Sequence, residues 1–349
     1  MALQRPSATI EVGGGGGGGL AGAVASLTGG GTLGFPEAAV LRLTVDQSVD
    51  TSHDRLVLEL SALSPLVDTE PGSRIAVALG YGDELDPVAT AEVLRVDATP
   101  SALHVVGYAP SRRLSNLHVA RSYVSRQVGD VVADLLGEAG VEPGQVEGSQ
   151  DLPAYHLDGT RSAWAEIHRL AGRTGSQVTS SADGAVSFAP APGSTASGGL
   201  GAAVSAVASA VGLGSATELR RGASLIGWRR GPRGAEPDWT PAVAALGAAS
   251  PFGPDRWHHF LKEPSSGSEP FVVDPALRSS SAGDAATAAL ADAARRRTTN
   301  GRFEVPGDPT LRAGGTATID DTSYRLLRVR HLVDPVLGYR CLLTVEGAG

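Results

Sequence analysis

The stretch of sequence that decides the fold contains YVSRQVGDVVADLLGEAGV at residues 123–141 and YHLDGTRSAWAEIHRLAGRTG at residues 155–175. In both segments apolar residues recur every three or four positions, which is the spacing of one buried face of an α-helix. Residue types that begin and end helices stand at both ends: Ser125 and Gly140 in the first segment, Ser162 and Gly175 in the second. The sequence therefore predicts two amphipathic helices, each with a cap and a stop.

A short β-hairpin is expected directly after the second helix. Residues 176–190 alternate apolar and polar side chains on both sides of Asp183-Gly184, a pair that suits a tight turn with a positive φ angle. Two helices followed by a hairpin make a small α+β domain, which we expect at residues 119–190.

The sequence before this domain has the alternation of β-strands. Residues 35–117 hold five runs of period two, with turns at residues 80–83 and at Thr99-Pro100. The first two runs each have an apolar face: Leu41, Leu43 and Val45, then Leu56, Leu58 and Leu60. A meander of this kind can curl into a barrel, which removes exposed strand edges. With an initial strand at residues 4–12, we expect a first β-barrel at residues 1–118.

The β pattern resumes after the small domain. Strands are expected from Glu218 onward. The stretch around Trp228 mixes arginines with an aromatic residue, which can mark a nucleic-acid or phosphate surface, but an exposed strand of a barrel is favoured. Asp284 is expected to cap an alanine-rich helix that ends in three arginines, a placement that the helix dipole favours.

The last part of the chain predicts a wide turn and a hairpin. Glycine and proline set the turn at residues 307–314, and residues 322–334 are expected to pair with residues 338–347. The alternating residues Leu326, Arg328, Arg330 and Leu332 suit an edge of a barrel. We therefore expect a second β-barrel at residues 217–349.

Three regions fall outside these patterns. Residues 13–34 and 191–216 are rich in glycine and small residues, and residues 234–283 are proline-rich and irregular. Because a glycine-rich backbone loses much entropy when it is fixed, the first two are expected as a surface loop and a linker. A second interpretation is that they line a lumen as soft plugs, in contact with cargo or with a neighbouring subunit.

Composition and net charge limit the classes of protein to which this chain can belong. The net charge is −8, which argues against a dedicated nucleic-acid binder. Lys262 is the only lysine among 29 basic residues, so a cluster of arginines is weaker evidence of a binding site than usual. Cys341 is the only cysteine, which leaves no intrachain disulfide and no thiolate metal site. The sequence shows neither a Sec-type signal peptide nor about 18 consecutive apolar residues, so we expect cytoplasmic folding without a membrane span.

The sequence offers only weak candidates for a metal site or a catalytic site. Asp46, Asp50, His53 and Asp54 could gather round a metal ion, but no calcium-loop pattern is present and a solvated turn is favoured. The His258-His259 pair is the only local imidazole candidate, and adjacent residues of a strand face opposite sides. We therefore expect no catalytic residue, no cofactor, no metal site and no enzymatic activity.

Two groups of residues carry a resemblance to a known family. On the second predicted helix they are Trp164, Glu166, Ile167, Arg169, Leu170 and Gly175, and in the late turn they are Gly307, Asp308, Pro309, Leu311 and Gly314. With them the chain resembles the late control gene D family, the baseplate hub proteins of contractile phage tails, whose relatives include the hub module of type VI secretion spikes. The resemblance covers about residues 35–190 and 217–346. It departs from the family at His168, where an aromatic or aliphatic residue is common.

The resemblance implies a fold and a set of partners. The fold class would be α+β, mainly β, with two tube-like antiparallel β-barrels and a small helix-containing domain between them. Three chains would form a homotrimer whose six barrels adapt a hexameric inner tube protein to a trimeric spike. The Val-Gly needle repeat of some spikes does not occur before Gly349, so the spike is expected as a separate protein. The hub would assemble in the cytoplasm with other baseplate components and then belong to a phage or phage-like particle.

Two other functions remain open at this point. A tail-associated peptidoglycan hydrolase would need paired carboxylates or an imidazole, for which Glu166 and His258-His259 are the candidates. A β-rich module that binds glycan or cargo would use the tryptophans of residues 234–283. No residue spacing demands the first function, and the second can coexist with a hub.

Overall fold

The computed structural model describes most of the 349-residue chain. The described residues are 6–13, 24–26, 40–62, 64, 66–194, 217–220, 224–231, 242–245, 271–274, 276–277, 279–334 and 336–348. Most of the two glycine-rich tracts and of residues 234–283, with His258-His259 and the tryptophans there, lie outside the described residues.

The first β-segment runs from residue 6 to residue 108. Its strands are β1 Pro6–Gly13, β2 Val24–Ser26, β3 Val40–Ser48, β4 Arg55–Ser61, β5 Arg74–Tyr81, β6 Glu84–Ala98 and β7 Ala102–Tyr108. They pair antiparallel in the order β3-β4-β7-β6-β5-β1-β2, and β3 to β7 are the five strands that alternation predicts.

The predicted apolar faces are confirmed with one exception. Leu43 and Val45 on β3 are fully buried, as are the three leucines of β4. Leu41, however, is 38% exposed. The register of β3 against β4 shifts between Val40 and Arg42, and such a bulge turns the side chain of the extra residue away from the core.

The middle unit covers residues 110–190. Its elements are a 3-10 turn Pro110–Arg112, α1 Arg113–Asn116, β8 His118–Gln127, α2 Val128–Glu138, β9 Pro143–Val146, β10 Asp151–Ser162, α3 Ala163–Thr174, β11 Ser176–Ser180 and β12 Val186–Pro190. β8 pairs with β10, and β12 lies between β11 and β9. The hairpin of β11 and β12 confirms the predicted turn, with Gly184 at a φ of +93°.

The second predicted helix is confirmed and the first is shorter than predicted. Ser162 caps α3, where its side chain accepts a hydrogen bond from the backbone N of Ala165 at 3.3 Å, and Gly175 ends α3 at a φ of +67°. α2 begins only at Val128, with Gln127 as its cap, so the prediction of Ser125 as the cap is wrong. Ser125 instead lies in β8 at a φ of +51°. Apolar residues of β8 continue the helical spacing by chance, which hides the strand.

The second β-segment begins at residue 217. Its elements are β13 Thr217–Leu219, β14 Gly227–Arg230, β15 Ala242–Ala245, β16 Phe271–Asp274, α4 Ser280–Arg297, β17 Asn300–Pro306, β18 Thr316–Ile319, β19 Thr322–Asp334 and β20 Gly338–Gly347. β14 is exposed as predicted, with Trp228 at 53% exposure. The predicted cap Asp284 is wrong, because it lies inside α4 and the cap is Ser279, which accepts from the backbone N of Ala282 at 3.2 Å.

One sheet unites the two β-segments. β19 pairs with β20 on one side and with β3 of the first β-segment on the other. The prediction of residues 326–332 as a barrel edge is therefore wrong, since β19 has a neighbour on both sides. Thirteen strands of the described residues belong to this sheet, and residues of both segments share one apolar core. The chain is α+β and mainly β, with antiparallel strands on both sides of a helix-containing unit, as predicted.

Candidate functional site

The motif residues of α3 form a buried polar cluster around Tyr155. The Tyr155 hydroxyl donates a hydrogen bond to Oε2 of Glu166 at 2.6 Å, and Glu166 is only 4% exposed. Arg169 lies 3.7 Å from the same carboxylate and 5.5 Å from the centroid of the Tyr155 ring. Burial, together with the neighbouring Glu166, raises the pKa of Tyr155 to about 12, so this hydroxyl stays protonated and keeps donating.

The other motif residues of α3 hold the helix in place. Ile167 and Leu170 are fully buried in the core of the middle unit, and Trp164 packs against that core with its ring centroid 5.9 Å from the ring of His168. Near the end of α3, Arg173 binds Asp274 with two hydrogen bonds, one of them 2.7 Å long. This bidentate ion pair attaches α3 to β16.

The motif turn of residues 307–314 is held by close backbone contacts. A Cβ on Gly307 would lie 2.0 Å from the ring of Tyr339, so only glycine fits there. Asp308 accepts hydrogen bonds from the backbone N of Thr310 at 2.9 Å and from its hydroxyl at 2.6 Å. Pro309 lies half-buried between them, and Leu311 is 2% exposed. The turn is therefore fixed by its own side chains as well as by the core.

Gly314 joins this turn to the middle unit. Its φ is +88°, and a Cβ there would lie 2.3 Å from Cγ2 of Thr179 on β11. Nε2 of Gln177 on β11 donates to the carbonyl oxygen of Gly314 at 2.9 Å. Gln177 follows Gly175, the end of α3, by two residues. The two groups of motif residues are thus linked through β11, but they do not line one common cleft.

A buried ion cluster lies beside Gln177. Arg325 on β19 donates to Oε1 of Gln177 at 3.0 Å and to Oε1 of Glu346 on β20 at 2.8 Å. Arg296 of α4 reaches the same Glu346 oxygen at 3.3 Å. All three charged residues are less than 10% exposed. Burial lowers the pKa of Arg325, whereas the negative charge of Glu346 acts to raise it. The carboxylate therefore offsets part of the cost of burying two guanidinium groups.

Arg312 connects the motif turn to the first β-segment. Its guanidinium donates to the carbonyl oxygens of Pro87 and Val88, the latter at 3.0 Å. Nε2 of Gln47 donates to the same Val88 oxygen at 3.1 Å. The register of β5 against β6 shifts at this point, which makes Val88 the extra residue of a bulge in β6. Arg312 and Gln47 therefore satisfy the bulge of β6.

A cavity of about 520 Å³ lies where the three parts of the chain meet. β1, β5 and β6 form one wall, the hairpin of β11 and β12 forms another, and Arg312 and Ala313 complete it. The lining is rich in hydroxyl groups and includes Glu11 and Asp183. None of the motif residues that carry the family resemblance, on α3 or in the turn at residues 307–314, lines this cavity.

The buried Cys341 lies next to an imidazole. Its Sγ is 3.3 Å from Nδ1 of His331, and that nitrogen is 2.9 Å from the hydroxyl of Tyr339. Burial raises the pKa of Cys341 to about 12 and lowers the pKa of His331 to about 3. Both groups are therefore neutral near pH 7, whereas nucleophilic catalysis requires a thiolate in reach of substrate. The pair fits a packed core.

Of the four residues considered as a metal site, the three aspartates are placed differently from one another. Asp50 is exposed in the loop after β3, as a solvated turn predicts. Asp46 lies within β3, and although burial opposes it, hydrogen bonds from Arg328 and Arg330 lower its pKa. Asp54 is only 9% exposed, and burial raises its pKa to about 7. The solvated-turn interpretation is therefore wrong for Asp46 and Asp54.

A metal centre and a membrane-spanning helix would each need a particular arrangement of residues in the part of the chain that the structure describes. Within it, no three or more His, Cys, Asp and Glu side chains are arranged to hold a metal ion. No helix of these residues combines the length and apolar character needed to cross a membrane.

Sequence reasoning missed the residues that join the three parts of the chain. Gln177, Arg312 and Arg325 all lie in segments whose structure is predicted correctly, yet their contacts are with residues distant in sequence. The available signal was their position: Arg312 lies inside the motif turn, and Arg325 stands in an apolar strand. Neither position reveals a partner, so the signal alone could not have identified these contacts.

Comparison with known proteins identifies the fold. No protein-family model matches the sequence, and no curated protein matches it. The solved structure of the tail protein from Neisseria meningitidis matches with a TM-score of 0.64 and 11% identity over 98% of this chain and 96% of that chain. The 43 kDa tail protein of prophage MuSo2 from Shewanella oneidensis matches with a TM-score of 0.61 and 11% identity over 98% of both chains.

A third structure comes from a secretion system. The Escherichia coli c3393 protein, a component of the type VI secretion system, matches with a TM-score of 0.54 and 10% identity over 89% of this chain and 74% of that chain. Likeness at such low identity is likeness of fold. The chain therefore has the fold of bacteriophage tail proteins, the fold that the resemblance to the late control gene D family of baseplate hubs predicts.

Proposed function

We propose that this chain is the structural baseplate hub of a contractile tail or phage-like injection particle, where it joins a hexameric inner tube to a trimeric spike. The observation that supports this proposal best is the likeness to two tail proteins over 98% of the chain. In both comparisons the two chains are aligned almost from end to end, so the shared architecture includes both β-segments and the middle unit.

The internal connections suit a part that transmits force. Gln177 ties the middle unit to Gly314, Arg312 ties the motif turn to the bulge of β6, and β19 continues the sheet of β3. A joint between the two β-segments that consists of a strand ladder resists bending better than a flexible linker does. The chain would thus move as one body during contraction.

The proposal includes an assembly. Domains at residues 1–118, 119–190 and 217–349 would give two tube-like barrels per chain, and a homotrimer would then offer six barrels to the six subunits of an inner tube. The spike would be a separate protein, and the lumen could hold cargo. The residues of the two motifs, from Trp164 to Gly175 and from Gly307 to Gly314, would act structurally, without catalysis. Assembly would take place in the cytoplasm before the particle is complete.

The mass of the protein in solution tests the proposal. Light scattering of the purified chain should give a particle of three times 35.4 kDa, and the same contribution should remain after partner masses are subtracted in mixtures with the candidate spike and tube proteins encoded beside it. The candidate spike protein should bind this particle with three-fold stoichiometry. A chain that stays monomeric in every mixture would overturn the proposal.

A further inference from the structure

One end of the large sheet carries a row of arginines. Arg229 on β14 lies opposite Arg302 on β17, which lies opposite Thr344 on β20, which in turn lies opposite Arg328 on β19. Residues directly opposite each other project from the same face of a sheet. Neighbouring strands are about 4.8 Å apart, so the row spans about 14 Å of one face. All three arginines are exposed.

Two of the three arginines in this row have no ion-pair partner among the described residues, and the third shares its partner with Arg330. Arg229 and Arg302 form no ion pair within the described residues, although they face each other directly. Like charges in directly opposed positions destabilise a sheet. Arg328 does bind Asp46, but Arg330 binds the same carboxylate, so one acidic group serves two guanidinium groups. An acidic group supplied from outside the chain would relieve the repulsion.

The opposite charge lies toward the other end of the same sheet. The acidic β5–β6 turn consists of Asp83 in the turn itself and of Glu84 and Asp86 at the start of β6, all of them exposed and none in an ion pair within the described residues. β14 is the last strand at one end of the sheet order, and β5 is third from the other end. The chain thus has a basic surface on β14, β17 and β19 and an acidic surface around the β5–β6 turn, while its net charge is −8.

We infer that the arginine row of one copy docks on the acidic β5–β6 turn of a second copy of this chain. The inference rests on the proposed hub function and adds the surfaces that its subunits would use. Because the two surfaces differ, the contact is head-to-tail, and a rotation that closes after three copies gives a ring. Exposed ion pairs contribute little affinity each, so these charges would mainly select the partner and its orientation, and would act less at high salt.

Charge reversal tests the inference. The variant Arg229→Glu with Arg302→Glu, and the variant Asp83→Arg with Glu84→Arg, should each weaken assembly at least about tenfold, measured as the concentration at which half of the chains are assembled. The quadruple variant restores complementary charges and should return assembly to within about threefold of the original protein. The control Arg95→Glu with Arg126→Glu makes the same charge change on exposed residues outside the row and should assemble normally.

The measurements use light scattering at 50 and 500 mM salt, in the mixture in which the original chain assembles, with circular dichroism to verify folding. Trimers that persist in both double variants would overturn the docking surface and leave the hub intact, whereas a wild-type chain that never assembles would overturn the hub itself. If the original chain binds a DNA duplex and the Arg229→Glu, Arg302→Glu variant assembles normally but no longer binds it, the arginine row is a nucleic-acid surface. That result would also overturn the inference.

Discussion

Gln177 donates a hydrogen bond from its side-chain amide to the carbonyl oxygen of Gly314, 2.9 Å away and 137 residues later in the chain. The oxygen of the same amide accepts from Arg325 at 3.0 Å. One side chain on β11 therefore satisfies a turn and a strand of the second β-segment. Buried polar groups that lose such a partner cost more than the hydrogen bond itself contributes, so Gln177 is a sensitive point of the structure.

Replacement of Gln177 by leucine should lower the free energy of unfolding by about 2 kcal/mol, because the Gly314 carbonyl and the Arg325 guanidinium lose a partner. Urea denaturation followed by circular dichroism measures this change. The variant Gln177→Glu keeps an acceptor for Arg325 and loses the donor to Gly314. Its free energy of unfolding should therefore lie between those of the original protein and of Gln177→Leu. Equal stability of all three proteins would contradict the bridging role.

Replacement of Gly314 by alanine should destabilise the protein by roughly 2–3 kcal/mol, because the φ of +88° disfavours a side chain and the new Cβ would overlap Thr179. Thermal denaturation provides the comparison. Adding Thr179→Ser removes the methyl group in the overlap and should recover part of the loss, leaving the backbone strain.

Gly172 provides the matched control for this substitution. It lies inside α3, and a Cβ there would meet nothing within 4 Å. Gly172→Ala should therefore stabilise the protein by roughly 0.5–1 kcal/mol through its helix propensity. If Gly314→Ala proved as harmless as Gly172→Ala, the close approach of the motif turn to β11 would be refuted.

Tyr155 and Glu166 should act as a coupled pair. In a double-mutant cycle of Tyr155→Phe and Glu166→Gln, the two changes should be non-additive by about 1.5–2 kcal/mol, because a hydrogen bond to a charged acceptor is lost only once. Denaturant midpoints of the four proteins give the coupling. Additive effects would mean that the two side chains stabilise the fold independently.

Asp54 should make stability depend on pH. Burial raises its pKa in the folded protein to about 7, against a backbone hydrogen bond from Ser48 and the attraction of Arg312. Since the unfolded value is about 3.9, the folded state holds a proton that the unfolded state releases, and this part of the stability falls as the pH rises from about 4 to about 7. The loss is on the order of a few kcal/mol, at about 1.4 kcal/mol per pKa unit.

The variant Asp54→Asn should not show this decline. Urea denaturation at pH 5 and pH 7.5 should give a smaller difference for Asp54→Asn than for the original chain, and Asp50→Asn, in the exposed loop beside it, should behave like the original. A pH dependence identical in the Asp54→Asn variant would show that another group titrates in this window.

Features set by neighbouring residues could be predicted from the sequence. The strands β3 to β7, the hairpin of β11 and β12, α3 and the hairpin of β19 and β20 each follow from a local period and a local turn. Ser125 shows the limit of this logic. A strand, β8, precedes α2 directly, and valines of both elements happen to share helical spacing, so the boundary between them has no local signal.

Features set by distant residues could not be predicted. The motif glycines are recognisable as turn residues, but their reason is the ring of Tyr339 beside Gly307 and the methyl group of Thr179 beside Gly314. The pairing of β3 with β19 likewise depends on a register between residues nearly 300 positions apart, and alternation in either strand fits several partners.

The pairing of β3 with β19 also sets the timing of synthesis. Synthesis of β3 is complete at residue 48, whereas synthesis of its neighbour β19 is complete only at residue 334. At 5–20 residues per second this delay lasts roughly 15 to 55 s, during which one edge of β3 stays open on the nascent chain. Open edges recruit strands of other chains, and charged side chains discourage this. Arg42 and Asp46 lie on that strand, so two charged side chains oppose such pairing for as long as the edge is open.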